Sequence, residues 1–275
     1  MAKNVRVEKI TSLDLEELQP YRTLRRPQQH IEAGIFVAEG EKVVRRLLES
    51  DLAVVSLLLT PEWYDTLSST NTPLPQSARV FVAPRTLIES IVGFNLHQGV
   101  MAVAQVPKPL SIEELVPRLP HPHLLVALDG LVNSENVGVV MRNCAAFGVD
   151  AVIVGETSSS PYLRRAVRNS MGTVFRLPVV HVPNLVAALR TLKNNLGTKV
   201  VATDLRGNKS IHSEVLAENV CIVLGNEGTG VSAPVLDVAT NRMVIPMLSE
   251  TDSLNVANAS AVLLYEARRQ RTNQA

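Results

Sequence analysis

Val223-Leu224-Gly225-Asn226-Glu227-Gly228-Thr229-Gly230-Val231-Ser232 is the stretch on which the fold turns. An apolar run, Val220 to Leu224, leads straight into three glycines within six residues. Such a run suits a strand buried on both faces, the habit of parallel sheets. The glycines let the backbone fold closely against a ligand. Asn226 and Glu227 stand at the strand exit, where open α/β sheets take their ligands. A plain glycine turn has the same composition, so the surrounding chain must decide.

Outward from this stretch, strands and helices alternate. Leu124 to Leu128, Ala151 to Val154, Thr173 to Val180, Lys199 to Thr203 and Met243 to Ile245 read as further strands. Asn136 to Phe147 and Pro161 to Met171 read as helices between them. Leu254 to Arg269 closes the chain as a helix with Val256, Ala259, Leu263, Leu264 and Ala267 on one stripe. This alternation predicts a mostly parallel sheet with helices on both faces.

Before it, prolines 107, 109, 117, 120 and 122 crowd a short stretch around a capping box, Ser111-Ile112-Glu113-Glu114. We read residues 107–122 as a linker between two domains, 1–106 and 123–275. The first domain alternates too. Strands are expected at Ile35 to Ala38, Ala53 to Thr60, Arg79 to Ala83 and Gly99 to Val106. Helices are expected at Glu41 to Glu49, from Pro61 onward, and at Thr86 to Ile91. It reads as a small α/β domain.

Bulk properties exclude several classes. The chain has 275 residues, 46% apolar and 19% charged, which suits a globular protein of one large or two ordinary domains. The net charge is only +1, so any nucleic-acid site must be a local patch. Cys144 and Cys221 form neither a CxxC pair nor a zinc spacing and read as buried thiols. The six histidines are scattered, and no H-E-x-x-H occurs, so no metal is expected. His97, beside Phe94 and Gln98, reads as a packed histidine. No signal peptide, transit peptide or membrane span is apparent, which makes a cytoplasmic protein the expectation.

The turn after the first strand of the second domain is Asp129-Gly130-Leu131-Val132-Asn133-Ser134. It lacks G-x-G-x-x-G, which argues against a nucleotide-dependent oxidoreductase. Two other segments behave like the glycine stretch and put polar residues directly after a strand. In Asn136-Val137-Gly138-Val139-Val140-Met141-Arg142, Asn136 is placed to cap a helix, with Arg142 six residues on. In Ile245-Pro246-Met247-Leu248-Ser249-Glu250-Thr251-Asp252-Ser253-Leu254-Asn255-Val256, Ser253 or Asp252 is placed to cap the last helix.

Together, N-x-G-x-x-x-R, L-G-N-E-G-x-G and I-P-M…S-L-N-V resemble, in order and spacing, the motifs of the SpoU (TrmH) family of RNA ribose 2′-O-methyltransferases, of the SPOUT superfamily. The resemblance runs from about Leu124 to the C-terminus. It extends more weakly to residues 36–40 and 92–99, which resemble the family's substrate-binding domain. Ser249 and Asn258 depart from the residues more common in the family.

The resemblance implies a SPOUT-type parallel-sheet domain with a trefoil knot, S-adenosylmethionine as cofactor, and a homodimer with its active site near the subunit interface. Carried over residue by residue, the cofactor site comprises Leu224, Gly225, Asn226, Gly228, Ile245, Met247 and Leu254. Asn136, Arg142, Glu227, Ser253 and Asn255 fall on catalytic or RNA-contacting positions. The implied reaction is methylation of a ribose 2′-hydroxyl in RNA, ribosomal RNA before transfer RNA. A non-catalytic ribosome assembly factor is the alternative, and it predicts a damaged cofactor loop or a missing arginine. An arginine keeps its proton, so Arg142 suits a phosphate clamp better than a general base. Two arginine clusters, Arg22, Arg25 and Arg26, and Arg164, Arg165 and Arg168, are the candidate RNA patches.

Overall fold

The computed structural model describes residues 6–69, 74–92, 99–248 and 253–272. The predicted features at His97, Phe94, Gln98, Ser249 and Asp252 lie outside them. The chain divides into two compact units, residues 1–108 with 162–176, and residues 109–161 with 177–275. The fifteen residues from Tyr162 to Arg176, expected within the second domain, thus group with the first.

Unit 1 begins with β1 (Arg6–Lys9), α1 (Gln19–Arg22), α2 (Pro27–Glu32) and β2 (Ile35–Glu39). It continues through α3 (Glu41–Leu48), β3 (Val54–Leu59), α4 (Pro61–Ser69), β4 (Arg79–Val82), α5 (Arg85–Val92) and β5 (Val100–Gln105). The sheet order is β1-β4-β3-β5-β2, with β5 antiparallel to both neighbours. Val37, Leu58, Phe81, Met101 and Val103 build its core with Leu18 and Tyr21. β1, α1 and α2 were not foreseen; each is four to six residues long, too short for periodicity to register.

Unit 2 holds α6 (Ile112–Leu115), β6 (Leu124–Asp129), α7 (Ser134–Phe147) and β7 (Ala151–Val154). After the excursion containing α8 (Arg164–Asn169) come β8 (Val179–His181), α9 (Leu185–Leu196), β9 (Lys199–Thr203) and β10 (Lys209–Ser210). The chain ends through β11 (Val220–Gly225), α10 (Ala233–Val238), β12 (Asn241–Val244) and α11 (Val256–Thr272). The sheet, β10-β12-β9-β11-β6-β7-β8, is parallel throughout its described ladders. β6 up to Leu128 and β11 up to Leu224 are apolar without interruption because both of their faces are covered, and nearly every residue in the two strands is buried. Each Leu, Val or Ile so buried contributes about 1.5–3 kcal/mol. The capping box at Ser111 is formed in both directions. The expected linker is packed: Ile112, Leu115 and Leu119 are buried in the core of unit 2.

Three expectations need correction. α7 starts at Ser134, because Asn133, not Asn136, supplies the cap: its side-chain oxygen accepts from the Glu135 N–H at 2.9 Å. α11 starts at Val256, capped by Asn255 and not by Ser253: the Asn255 Oδ1 accepts from the Ala257 N–H at 2.8 Å. Thr173 to Val180 is not one strand. Gly172 (φ 78) starts a 3-10 turn over Thr173–Phe175, and only Val179–His181 pairs. Cys144 and Cys221 are free and buried; burial pushes both thiols up, Cys221 to about 12.

Candidate active site

The site is assembled where parallel strands end side by side. β11 and β6 run in register, with Gly225 opposite Asp129, so the loops that follow them meet. Gly225 is tightly enclosed: a Cβ there would lie 2.2 Å from the Val231 nitrogen and 2.3 Å from the Gly230 carbonyl carbon. Two hydrogen bonds of 2.9 Å between Asn226 and Gly230 close the loop on itself, with Gly230 at φ +74. The Asn226 side chain completes the closure. Its Oδ1 accepts from Gly228 N and Thr229 N, and its Nδ2 donates to the Gly130 carbonyl at 2.8 Å. Asn226 was expected to bind cofactor; its hydrogen bonds join the loop after β11 to the loop after β6.

Below this loop lies a cleft of about 400 Å³. Leu224, Gly225, Asn226 and Gly228 line it from the β11 side, and Ile245, Met247 and Leu254 from the segment after β12. All seven expected cofactor positions are therefore at one cleft. Glu227, Ser253 and Asn255 line it as well. Thr203, Asp204, Leu205 and Arg206, at the exit of β9, line it from a third side, and Met243 and Leu263 add apolar surface. The sequence held a signal for this third wall. Lys199 to Thr203 was legible as a strand, and the exits of adjacent parallel strands form one rim.

A polar cluster stands at the cleft. Glu227 Oε1 accepts from Asn136 Nδ2 at 3.0 Å and from Asn133 N at 3.4 Å. Asn255 Nδ2 donates to Asn136 Oδ1 at 3.3 Å. Asn136 is free for this role because Asn133 does the capping. Glu227 and Asn255 are exposed and Asn136 half-buried, so a large substrate can reach the cluster.

Arg142 is not brought to it. Six residues beyond Asn136 is about 240° around a helix, a different face. Arg142 is exposed there, without a hydrogen bond or ion pair among the described residues. Arg22, Arg25 and Arg26 are exposed in unit 1. Arg164 and Arg168 are engaged: they donate to the two oxygens of the buried Glu39 at 2.7 and 3.0 Å. Arg165 is exposed on the same helix. Among the described residues, no group of three His, Cys, Asp or Glu side chains is arranged to hold a metal ion. Nor is any helix there long and apolar enough to cross a membrane.

The sequence profile of the SpoU rRNA methylase family matches residues 123–265. An uncharacterised tRNA/rRNA methyltransferase of Mycobacterium tuberculosis is 33% identical, over 96% of this chain and 92% of its own length. The 23S rRNA (guanosine(2553)-2′-O)-methyltransferase of Bacillus subtilis is 25% identical over 95% of this chain and 100% of its own. Among solved structures, the AdoMet-bound rRNA methyltransferase from Sinorhizobium meliloti superposes with a TM-score of 0.82. It is 25% identical and covers 96% of this chain and 98% of its own.

Proposed function

From the premise that this chain belongs to the SpoU rRNA methylase family, we propose that it methylates a ribose 2′-hydroxyl in RNA using S-adenosylmethionine, with ribosomal RNA as the substrate. The observation that carries this is the Asn136–Glu227–Asn255 cluster standing at the cleft. The cleft suits the cofactor. Its volume lies within the range of small-molecule sites. Leu224, Met243, Ile245 and Leu263 offer an apolar wall to an adenine ring, and Gly225 lets the loop backbone close over it. When bound there, the cofactor supplies an electrophilic methyl group.

The chain's own residues orient the hydroxyl. Glu227 Oε2 takes no hydrogen bond among the described residues and is the acceptor open to a ribose hydroxyl. Asn136 and Asn133 hold the other oxygen and so fix the carboxylate plane. Asn255 holds Asn136 from the opposite wall. The unpaired guanidinium of Arg142 clamps a phosphate next to the target ribose, a role its planar fork suits. Because Arg142 stands apart from the cluster of its own chain, we place it at a homodimer interface. The exposed Val132, Val262 and Tyr265 suit such an interface. The trefoil knot and a cytoplasmic location belong to the same proposal. RNA is gripped first by Arg22, Arg25 and Arg26; a phosphate at Arg164 or Arg168 must compete with Glu39.

The test compares methyl transfer with cofactor affinity. Asn136→Ala and Arg142→Ala should each lose at least about a hundredfold in turnover, with S-adenosylhomocysteine affinity within threefold of wild type. Arg142→Lys should rescue little, because a point charge does not replace a fork. Wild-type turnover in either alanine variant overturns the assignment of that residue.

A further inference from the structure

The cleft holds more charge than the methyl-transfer cluster uses. Among its described lining residues, three are charged: Glu227, Asp204 and Arg206. Glu227 is committed to Asn136 and Asn133. Asp204 and Arg206 lie on the opposite side of Gly225. In the sheet order, β9 separates β12 from β11, and the methyl-transfer cluster stands over β11 and β6.

Their loop is rigidly built. Asp204 N donates to the Met243 carbonyl at 3.0 Å, and Gly207 N to the Asp204 carbonyl at 2.9 Å. Gly207 admits no side chain: a Cβ would lie 2.8 Å from the Arg242 carbonyl oxygen and 2.9 Å from that of Asp204. Asp204 Oδ1 accepts from Arg206 N at 2.9 Å, which fixes the carboxylate. Its other oxygen, Oδ2, is buried and has no hydrogen-bond partner among the described residues. Among the described residues, the cation beside it is Arg242 Nη1 at 3.8 Å, too far for a hydrogen bond. A buried carboxylate oxygen that accepts no hydrogen bond is costly even with a cation 3.8 Å away, and a ligand donor removes that cost. The Arg206 side chain is exposed and has no hydrogen bond or ion pair among the described residues.

Resting on the cofactor assignment above, we infer that Asp204 and Arg206 form a clamp for the amino-acid end of S-adenosylmethionine. The ammonium satisfies the Asp204 carboxylate. The carboxylate two bonds away on the same carbon meets the guanidinium fork of Arg206. Charge complementarity favours this end of the ligand at Asp204 and Arg206. The adenosine part is neutral and matches the apolar wall. The methionine part carries an ammonium, a carboxylate and a sulfonium, and the cleft offers charges of the opposite sign in Asp204, Arg206 and Glu227. With one end clamped over β9, the sulfonium is directed across Gly225 toward the cluster over β11.

Calorimetry on the full chain separates this clamp from the rest of the site. Two ligands are used: S-adenosylhomocysteine, which keeps the amino-acid end, and 5′-methylthioadenosine, which lacks it. Asp204→Asn should weaken S-adenosylhomocysteine by roughly ten- to hundredfold and leave 5′-methylthioadenosine within twofold. Arg206→Ala, exposed and without bearing on folding, should weaken S-adenosylhomocysteine by about threefold and leave the other ligand unchanged. Thermal unfolding without ligand should show Asp204→Asn folded as wild type. Equal losses for both ligands would place Asp204 on the nucleoside or make it a loop support, and no loss for either would remove it from the site; both overturn the clamp. Should wild type bind neither ligand, the cofactor assignment itself fails and the clamp with it.

Discussion

Gly225→Ala is the most revealing single perturbation of the site. The added Cβ would fall 2.2 Å from Val231 N, 2.3 Å from Gly230 C and 2.6 Å from Gly230 O. All three are backbone atoms, so no side-chain rotation gives relief. β11 is held on both sides by the β6 and β9 ladders, so the glycine loop must be the part that yields. Opening it breaks the paired Asn226–Gly230 hydrogen bonds, about 1 kcal/mol each, and overpacking of this kind costs about 1–3 kcal/mol. The expected destabilisation is roughly 3–5 kcal/mol, a fall in Tm on the order of 10 °C for a chain of this size. The opened loop also withdraws one wall of the cleft, so S-adenosylhomocysteine affinity should fall at least about tenfold, a loss of ~1.4 kcal/mol. Scanning calorimetry and titration calorimetry read the two effects. A variant with wild-type Tm and wild-type affinity would refute the reasoning that this glycine is required by close backbone approach.

Arg271→Ala should destabilise by about 2–4 kcal/mol, measured by urea unfolding. Its guanidinium donates to the carbonyls of Leu216, Pro122, His123 and Glu218 and ties the end of α11 to the entries of β6 and β11. Thermal stability should fall as pH drops below about 6.5. Burial depresses His30 and His123, so the unfolded chain takes up protons that the folded rings refuse; above that pH both states are neutral and nothing is lost. His123→Gln should make that slope shallower, and an unchanged slope would assign it to other groups. Light scattering at micromolar concentration should give a dimer, and Tyr265→Asp, on the exposed face of α11, should shift it toward monomer. A stable, active wild-type monomer would contradict the placement of Arg142 at an interface.

The parallel sheet was legible because its strands are buried on both faces. Ala151–Val154 and, within β9, Val200–Thr203 carry uninterrupted apolar or β-branched signals with turn residues after them. The helix caps were misplaced because several capping residues crowd each helix start. Asn133 and Asn136, or Asp252, Ser253 and Asn255, offer the same side-chain oxygen, and only the three-dimensional path selects one. That choice matters for function, since the asparagine that does not cap α7 is the one that reaches Glu227. α9 was missed although its signals are local: Asn184 caps it, Gly197 ends it at φ 61, and Leu185, Ala188, Leu189 and Leu192 line one face. The pairing of Arg164 and Arg168 with Glu39 joins positions 125 and 129 residues apart, which no local pattern encodes. For Asp204 the strand exit was legible, and the strand order that brings that exit to the cleft was not.

Methyl transfer to a ribose 2′-hydroxyl of ribosomal RNA can be observed directly. Its most direct test is to incubate the purified protein with S-adenosylmethionine and unmodified ribosomal RNA, and then to map 2′-O-methyl groups by mass spectrometry. One or a few new 2′-O-methyl nucleotides are expected with wild type and none with Asn136→Ala. Methylation confined to bases, or no methylation of RNA by a protein shown to bind S-adenosylhomocysteine, would contradict it.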